Sequence, residues 1–299
     1  MPAIGKSSTI QLDSIVFATD FSPASQNAGL YASAVSRHFG TSLVVAHAFT
    51  LSQAALEVEV AKSRPSQQRF DLQHSLNLAA QILDAGRGET ESLLIEGEPG
   101  KVISALAEGR KPSLIVLGTH GGGSVDRFIV GSVAEDILRH SAGAALTVGP
   151  KVNILSAGAL NVRRILYATD CSGEAARAAP AAVALAEAFS AELDVLNVAH
   201  SNDVDDPEKL RLIQQRFYGT VCSILPDRAG KLCEENTFVV VGEPGLEILK
   251  HLEERAIDLL ILGLKRNAHL GMKNRTSGAF PIIIGARCPV VTIAFGLAE

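Results

Sequence analysis

A glycine-rich segment at residues 118–138 carries the clearest chemistry in the sequence. It reads GTHGGGSVDRFIVGSVAEDIL and joins an apolar run to an amphipathic one. Glycine has no Cβ, so the backbone at Gly118 and Gly121 can turn sharply and approach a ligand closely. Gly131 and Ser132 open the next helical pattern, where free N–H groups, the helix dipole and a hydroxyl suit a phosphate. The alternative is an exposed loop in which Ser132 only caps a helix.

Two common nucleotide-binding patterns are excluded. A P-loop requires GxxxxGK[ST], and no lysine lies between Gly118 and Ser132. A dinucleotide-binding GxGxxG pattern would need a glycine where Asp126 stands. A phosphate bound here would therefore be held by a different arrangement.

The elements that would position this loop occur twice along the chain. Three segments of the first half recur in the second half in the same order, at offsets that fall from 150 to 145 residues. This indicates an internal duplication. We predict one domain over residues 1–150 and another over 151–299, joined by a linker at 149–163. The matched segments are SIVFATDFS with RILYATDCS, EGEPGKVISAL with VGEPGLEILKHL, and SLIVLG with DLLILG.

Strand and helix patterns alternate within each half. Continuous apolar runs such as IVFAT are typical of parallel strands buried on both faces. Ser22 followed by Pro23 predicts a helix start, and further helices are predicted over 66–85, 99–108 and 173–189. The alternation predicts an α/β protein of two tandem doubly wound domains, each with a mostly parallel five-stranded sheet. Ligands of such sheets bind beyond the carboxyl ends of the strands.

The composition argues against several classes of protein. The 299 residues are 47% hydrophobic, carry a formal net charge of -5 and include no tryptophan, so neither a nucleic-acid partner nor disorder is expected. No apolar run reaches the length of a membrane span, and no export signal is visible, so we expect no membrane contact and a cytoplasmic location. The four cysteines show no metal-binding spacing.

The pattern glycine, two residues, glycine, nine residues, glycine and serine resembles the ATP-binding signature of the universal stress protein family. The ATD that ends at Asp20 and the strand that ends in His47 and Ala48 resemble the same family. The likeness extends over nearly the whole chain as two tandem units. It implies Rossmann-like domains similar to the adenine nucleotide alpha hydrolases.

The resemblance also implies an ATP pocket in the first domain, with magnesium accompanying the nucleotide. It places Asp20 beside the adenine and ribose, although a turn or cap role for Asp20 remains the alternative. It places the Ala48 backbone at the base. For His47 itself we expect a partly buried structural role. The remaining implied residues follow the ribose and phosphates, and they are Leu117, Gly118, Thr119, His120, Gly121, Gly131, Ser132 and Val133.

The second glycine loop, GLKRNAHLGMKNRTSGAF, departs from this pattern. Arg266 stands in place of Gly121, and Thr276 stands in place of Gly131. We therefore predict that the second domain does not bind ATP in the family's manner. The alternative is a basic anion site of another kind, formed by Lys265, Arg266, Lys273 and Arg275.

We therefore expect a stress-response regulator that binds ATP in its first domain, with the second domain acting as a pseudo-dimer partner. The apolar strands AALTVG and PVVTIAF could pair with each other, and a homodimer is a further possibility. No catalytic or resident metal site is predicted, and little or no ATP hydrolysis is expected because few charge-neutralising groups occupy the first loop. The alternatives are a slow ATP hydrolase or nucleotidyl transferase, and a nucleotide-free interaction module.

Overall fold

The computed structural model describes residues 12–51, 67–84, 89–110, 113–119, 131–141, 143–155, 160–170, 172–200, 206–224, 236–265 and 278–295. Within these ranges the chain forms two compact units. The first unit contains the described residues between 12 and 160 together with those between 278 and 295. The second unit contains those between 161 and 265. The boundary predicted near residue 150 separates the two sequence repeats rather than the two compact units, and as a domain boundary it stays a prediction.

Strands and helices alternate through the first repeat, as the hydrophobic pattern predicts. In the described part its strands are Ser14–Ala18 (β1), Ser42–Phe49 (β2), Thr90–Glu96 (β3), Ser113–Gly118 (β4) and Gly143–Val148 (β5). Its helices are Pro23–Phe39 (α1), Gln67–Leu83 (α2), Pro99–Glu108 (α3) and Ser132–His140 (α4).

The second repeat follows the same order with one interruption. The helix predicted over 173–189 is broken at Arg177 and Ala178, because Pro180 has no backbone N–H and fits the first turn of a new helix. In the described part its strands are Arg164–Ala168 (β6), Glu192–Ala199 (β7), Thr237–Val241 (β8), Leu259–Lys265 (β9) and Val290–Phe295 (β10). Its helices are Gly173–Ala176 (α5), Ala179–Phe189 (α6), Pro207–Ile224 (α7), Pro244–Glu254 (α8) and Ala279–Gly285 (α9).

The sheet of the first unit has the order β3-β2-β1-β4-β5-β10. Strands β1 to β5 are parallel, and Ser14 of β1 lies opposite Ser42 on one side and Ser113 on the other. Strand β10 pairs with β5 in the antiparallel sense, with Val290 opposite Thr147. The two apolar strands AALTVG and PVVTIAF therefore pair with each other.

Helices cover both faces of this sheet. Successive residues of a strand point to opposite faces. Phe17 of β1 lies against α1 and α2, whereas its neighbour Ala18 faces a cavity bounded by α3 and α4. Ile15 and Val16 are fully buried, as expected for a strand covered on both sides. This is the doubly wound arrangement that the sequence predicts.

The sheet of the second unit has the order β9-β6-β7-β8, and all of its described strand pairs are parallel. Ile165 of β6 lies opposite Leu193 and Leu259, so β6 occupies the central position that β1 holds in the first unit. The fold class is confirmed as two tandem Rossmann-like α/β repeats. Within the described residues, no helix is both long and apolar enough to cross a membrane.

The start of α1 confirms the predicted helix boundary. Ser22 is the N-cap, its side chain accepts a hydrogen bond from the Ser25 N–H, and Pro23 occupies the first turn. Gly40 ends the helix with φ of 65°, a left-handed conformation that glycine adopts without a Cβ penalty. These two caps fix where α1 starts and stops, and the N-cap Ser22 also fixes the turn between β1 and α1.

Candidate functional site

A cavity of about 440 Å³ lies at the carboxyl ends of β1, β2 and β4. This is the edge where strand order switches in an open parallel sheet, since β1 pairs with β2 on one side and with β4 on the other. His120 and Gly121 lie outside the described residues. All the other predicted site residues line this one cavity, and they are Asp20, Ala48, Leu117, Gly118, Thr119, Gly131, Ser132 and Val133.

Asp20 forms a turn immediately after β1. Its Oδ1 accepts hydrogen bonds from the Ser22 N–H at 3.0 Å and from the Ser22 hydroxyl at 2.6 Å. The second repeat contains the same turn, because Asp170 Oδ1 accepts from the Ser172 N–H at 2.8 Å. The turn role that the sequence left as an alternative for Asp20 is therefore present, and the exposed carboxylate also borders the cavity.

His47 lies near the carboxyl end of β2, two residues before the strand ends at Phe49, beside the same turn. Its Nδ1 lies 2.7 Å from the backbone oxygen of Thr19. The imidazole also contacts the ring of Phe21, with ring centroids 4.6 Å apart. Phe21 has φ of 63°, which is uncommon for a residue with a side chain. His47 is thus anchored from two directions where it lines the cavity.

Gly118 is explained by packing at the end of β4. A Cβ at this position would lie 3.0 Å from the backbone carbon and oxygen of Ala24 in α1. Gly263 occupies the matching position in the second repeat, and a Cβ there would lie 2.7 Å from the Cα of Ala175. The close approach of a helix thus accounts for the glycine in both repeats. A role for Gly118 towards a ligand stays a prediction.

The start of α4 is fixed against the end of β4. The Gly131 N–H donates to the Thr119 oxygen at 2.6 Å, and Gly131 is the N-cap of the helix with φ of −58°. Ser132 is exposed at the first helical position, so its hydroxyl and the free N–H groups of the first turn border the cavity. Glu135 in this turn is paired with Arg139 at 2.6 Å, which offsets its negative charge. The helix terminus is suited to an anion.

Sequence reasoning missed the wall that α3 contributes. Pro99 and Ile103 line the cavity, as do Thr19, Ser25, Ala46 and Ala134. The signal was present, since the EPG motif at 98–100 recurs at 243–245 and correctly predicts a helix start. Its repetition gave no indication of which face of the sheet the helix would cover.

The second repeat keeps the framework around the matching strand ends. Asn197 stands where His47 stands in the first repeat, and its Nδ2 donates to the Thr169 oxygen at 3.0 Å. Asp170 and Gly263 also match their counterparts in position and contacts. The substitutions that remove the glycine pattern from the second loop fall within residues 266–277, which lie outside the described residues.

Metal-binding side chains do not cluster in the described part of the chain. No group of three or more His, Cys, Asp or Glu residues there could hold a metal ion. A Mg²⁺ ion typically keeps several waters and uses only one or two carboxylates together with substrate phosphates. The cavity is therefore compatible with a metal that arrives with a nucleotide.

A tandem pair of doubly wound α/β repeats with a cavity at the carboxyl ends of its strands defines the class of this protein. The family model for the universal stress protein family matches residues 12–148 and again residues 161–293. The chain therefore belongs to the universal stress protein family as a member with two repeats. It is 28% identical over 134 residues to a universal stress protein of Thermus aquaticus, a match that covers 45% of this chain and 96% of that protein.

Solved structures show the same fold over nearly the full length. A universal stress protein from Archaeoglobus fulgidus DSM 4304 superposes with a TM-score of 0.70 at 19% identity, covering 96% of this chain and 100% of that one. A structure from Pseudomonas aeruginosa UCBPP-PA14 superposes with a TM-score of 0.59 at 14% identity, covering 95% and 93% of the two chains. The two-repeat architecture is thus shared with proteins of very different sequence.

Proposed function

We propose that the first repeat binds one ATP molecule in the cavity at the ends of β1, β2 and β4. The observation that carries this proposal is that every predicted site residue in the described ranges lines one cavity. Its volume of about 440 Å³ falls within the range of small-molecule sites. The arrangement combines an apolar wall from α3 with the N-terminus of α4, as a ligand with a flat base and a phosphate chain requires.

Each part of the nucleotide has a suitable environment in this proposal. The phosphates lie at the first turn of α4 beside Gly131, where Ser132 and Val133 supply N–H groups and Ser132 supplies a hydroxyl. The base lies towards β2 and α3, against Ala48 and Ile103. His120 and Gly121, which the sequence predicts to follow the phosphates, lie outside the described residues, and Mg²⁺ would be held mainly by phosphate oxygens and water.

Binding is proposed to regulate rather than to supply energy for catalysis. ATP would connect the ends of three strands with the start of α4, so its presence changes the stability of this edge of the sheet. In the described part, the cavity lining contains no lysine or arginine to neutralise charge at a γ-phosphate. The second repeat serves as a pseudo-dimer partner, and its strand β10 pairs with β5 in the sheet of the first unit.

Isothermal titration calorimetry with Mg-ATP tests the proposal. We expect about one ATP bound per chain. Two equivalent sites would contradict the predicted inactivity of the second repeat, whereas no binding would favour a nucleotide-free interaction module. Steady phosphate release that Ser132→Ala abolishes would favour a hydrolase.

Substitution of Ser132 separates anion binding from the stability of α4, whose N-cap is Gly131. Ser132→Asp places a carboxylate at the start of α4. Its negative charge interacts favourably with the helix dipole but repels a phosphate. We expect ATP affinity to fall more than tenfold while the melting temperature stays the same or rises. Ser132→Ala, the matched neutral control, removes one hydroxyl and should lower affinity less than tenfold. Equal affinities for the two variants would place the phosphates elsewhere.

A further inference from the structure

We propose that His47 reads the base of the bound nucleotide by presenting its Nε2 as a hydrogen-bond acceptor to the 6-amino group of adenine. The inference rests on the proposed function and assigns a specificity-determining residue within the same cavity. It predicts discrimination between 6-amino and 6-oxo purines. Three independent observations support it.

The first observation is the hydrogen bond that orients the ring. A backbone oxygen can only accept, so the 2.7 Å contact between His47 Nδ1 and the Thr19 oxygen requires the hydrogen to be on Nδ1. In the neutral imidazole, the other nitrogen is then an acceptor. His47 therefore lines the cavity as a ring with a defined tautomer.

The second observation is the support that holds this ring in place. The Phe21 ring lies 4.6 Å from the His47 ring, at an interplanar angle of 37°. The Phe21 N–H donates to Thr19 Oγ1 at 3.0 Å, and Thr19 Oγ1 lies 3.1 Å from Ser25 Oγ. Thr19 thus joins the β1 turn, α1 and His47, so the acceptor nitrogen is held by a connected network rather than by one contact.

The third observation is the position of His47 relative to the phosphate end of the cavity. The N-terminus of α4 follows β4, and β2 lies two strands away across β1. Two strand spacings span roughly 9–10 Å. A nucleotide with its phosphates at α4 therefore directs its base towards His47, while Ile103 and Pro99 of α3 supply apolar contact.

The second repeat supplies a matched substitution. Asn197 donates its Nδ2 to the Thr169 oxygen at 3.0 Å, so it makes the same anchoring bond without an imidazole. His47→Asn should therefore keep the bond to Thr19 and remove the second ring nitrogen. The variant changes recognition while retaining a contact that this fold already uses.

The test compares ATP with inosine triphosphate, which carries an oxygen in place of the 6-amino group. Affinities are measured at pH 8, above the range in which imidazoles ordinarily titrate. We expect the native protein to prefer ATP by about tenfold. The 6-oxo group of inosine triphosphate and the Nε2 of His47 are both acceptors, so they cannot form a hydrogen bond with each other. We expect His47→Asn to reduce the preference below about threefold, with Asn197→His as a control that leaves the preference unchanged.

Two outcomes would overturn the proposal while leaving the proposed function intact. These are equal affinities of the native protein for the two nucleotides, and a tenfold preference that survives in His47→Asn. Failure of the native protein to bind either nucleotide would instead overturn the proposed function, and this inference with it.

A direct measurement on the native protein covers the case in which His47→Asn does not fold. Nitrogen-15 NMR should show Nδ1 of His47 protonated and Nε2 bare, and ATP should shift the Nε2 resonance more than inosine triphosphate does. A protonated Nε2 with a bare Nδ1, or equal shifts with both nucleotides, would rule the acceptor role out.

Discussion

Gly118 and Gly263 occupy matching positions at the ends of β4 and β9. Each faces the backbone at the start of the helix that follows the first strand of its repeat. A Cβ would lie 3.0 Å from the Ala24 backbone in one repeat and 2.7 Å from the Ala175 Cα in the other. Backbone atoms cannot move aside as a flexible side chain can, so the space for a methyl group must come from shifting a helix. A glycine that the sequence assigns to a ligand site thus also has a packing function.

Alanine substitution measures that packing function. We expect Gly263→Ala to lower the free energy of unfolding by about 1–3 kcal/mol, and Gly118→Ala by less, because its closest backbone contact is longer. Urea denaturation compares the two variants with the native protein. Gly109→Ala serves as a control, since its Cβ would meet its nearest neighbour at 3.6 Å. Full stability of Gly118→Ala together with lost ATP binding would show instead that the glycine serves the ligand.

The residue types of the site could be predicted from the sequence, but the contacts of His47 could not. A local pattern placed His47 at the end of β2 and predicted a partly buried structural role, and its hydrogen bond to Thr19 agrees with that role. The neighbouring ring of Phe21 depends on a φ of 63°, which neither composition nor periodicity indicates. This conformation belongs to the turn between β1 and α1, whose geometry depends on how the helix packs on the sheet.

At the scale of elements, a buried ionic cluster joins β7 to the end of α8 in the second unit. The carboxylate of Asp194 is fully buried and lies 3.0 Å from the Arg255 Nε. His251 Nε2 lies 3.4 Å from the same carboxylate without the alignment of a hydrogen bond, and Phe238 packs against the His251 ring. Val44 occupies the matching strand position in the first repeat, so the charge is specific to the second.

Asp194 should make stability depend on pH in the acid range. Burial by itself raises the pKa of Asp194, but the nearby His251 and Arg255 outweigh burial and lower this pKa below its ordinary value. A lowered pKa in the folded state gives stability that is present above the ordinary carboxyl pKa of about 3.9. That stability is lost as the pH falls through the lowered value.

Denaturation of Asp194→Asn between pH 7 and pH 3 tests this dependence. At pH 7 we expect a loss of roughly 2–3 kcal/mol, because the charge that pairs with Arg255 is removed and one carboxylate oxygen is replaced by an amide donor. The variant should also lose less stability than the native protein as the pH falls. Glu192→Gln on the same strand removes a more exposed pair with Arg164 and should cost less than about 1 kcal/mol. Parallel pH profiles for Asp194→Asn and the native protein would contradict the assignment.

For the whole molecule, the compact units differ from a simple division of the chain into halves. Helix α9 and strand β10 come from the second repeat, yet they belong to the first unit. The Thr147 hydroxyl donates to the Val290 oxygen at 3.1 Å, and the Thr292 hydroxyl donates to the Ala145 oxygen at 3.3 Å. The sequence predicts the strands and their tendency to pair, because an apolar edge is open to pairing. The grouping of the two elements depends on contacts between distant segments, which no local pattern contains.

Removal of β10 should expose the edge of β5. We expect a chain that ends at residue 285 to lose stability and to associate as its concentration rises, because unpaired N–H and C=O groups recruit another strand. Light scattering coupled to size-exclusion chromatography measures the mass, and thermal unfolding measures the stability. Thr292→Val in the full chain removes one hydroxyl and should change the unfolding free energy by only about 1 kcal/mol. An unassociated truncated chain with native stability would show that β10 is dispensable.

The pairing of β5 with β10 also has a consequence during synthesis. Thr147 and Val290 are 143 residues apart. A ribosome adding about 5–20 residues per second needs roughly 7–30 s to travel from one to the other. During this interval the nascent chain carries an unpaired β5, whatever the order in which its helices form. Chaperones that recognise unpaired apolar strands therefore have several seconds in which to bind, until β10 leaves the ribosome and pairs with β5.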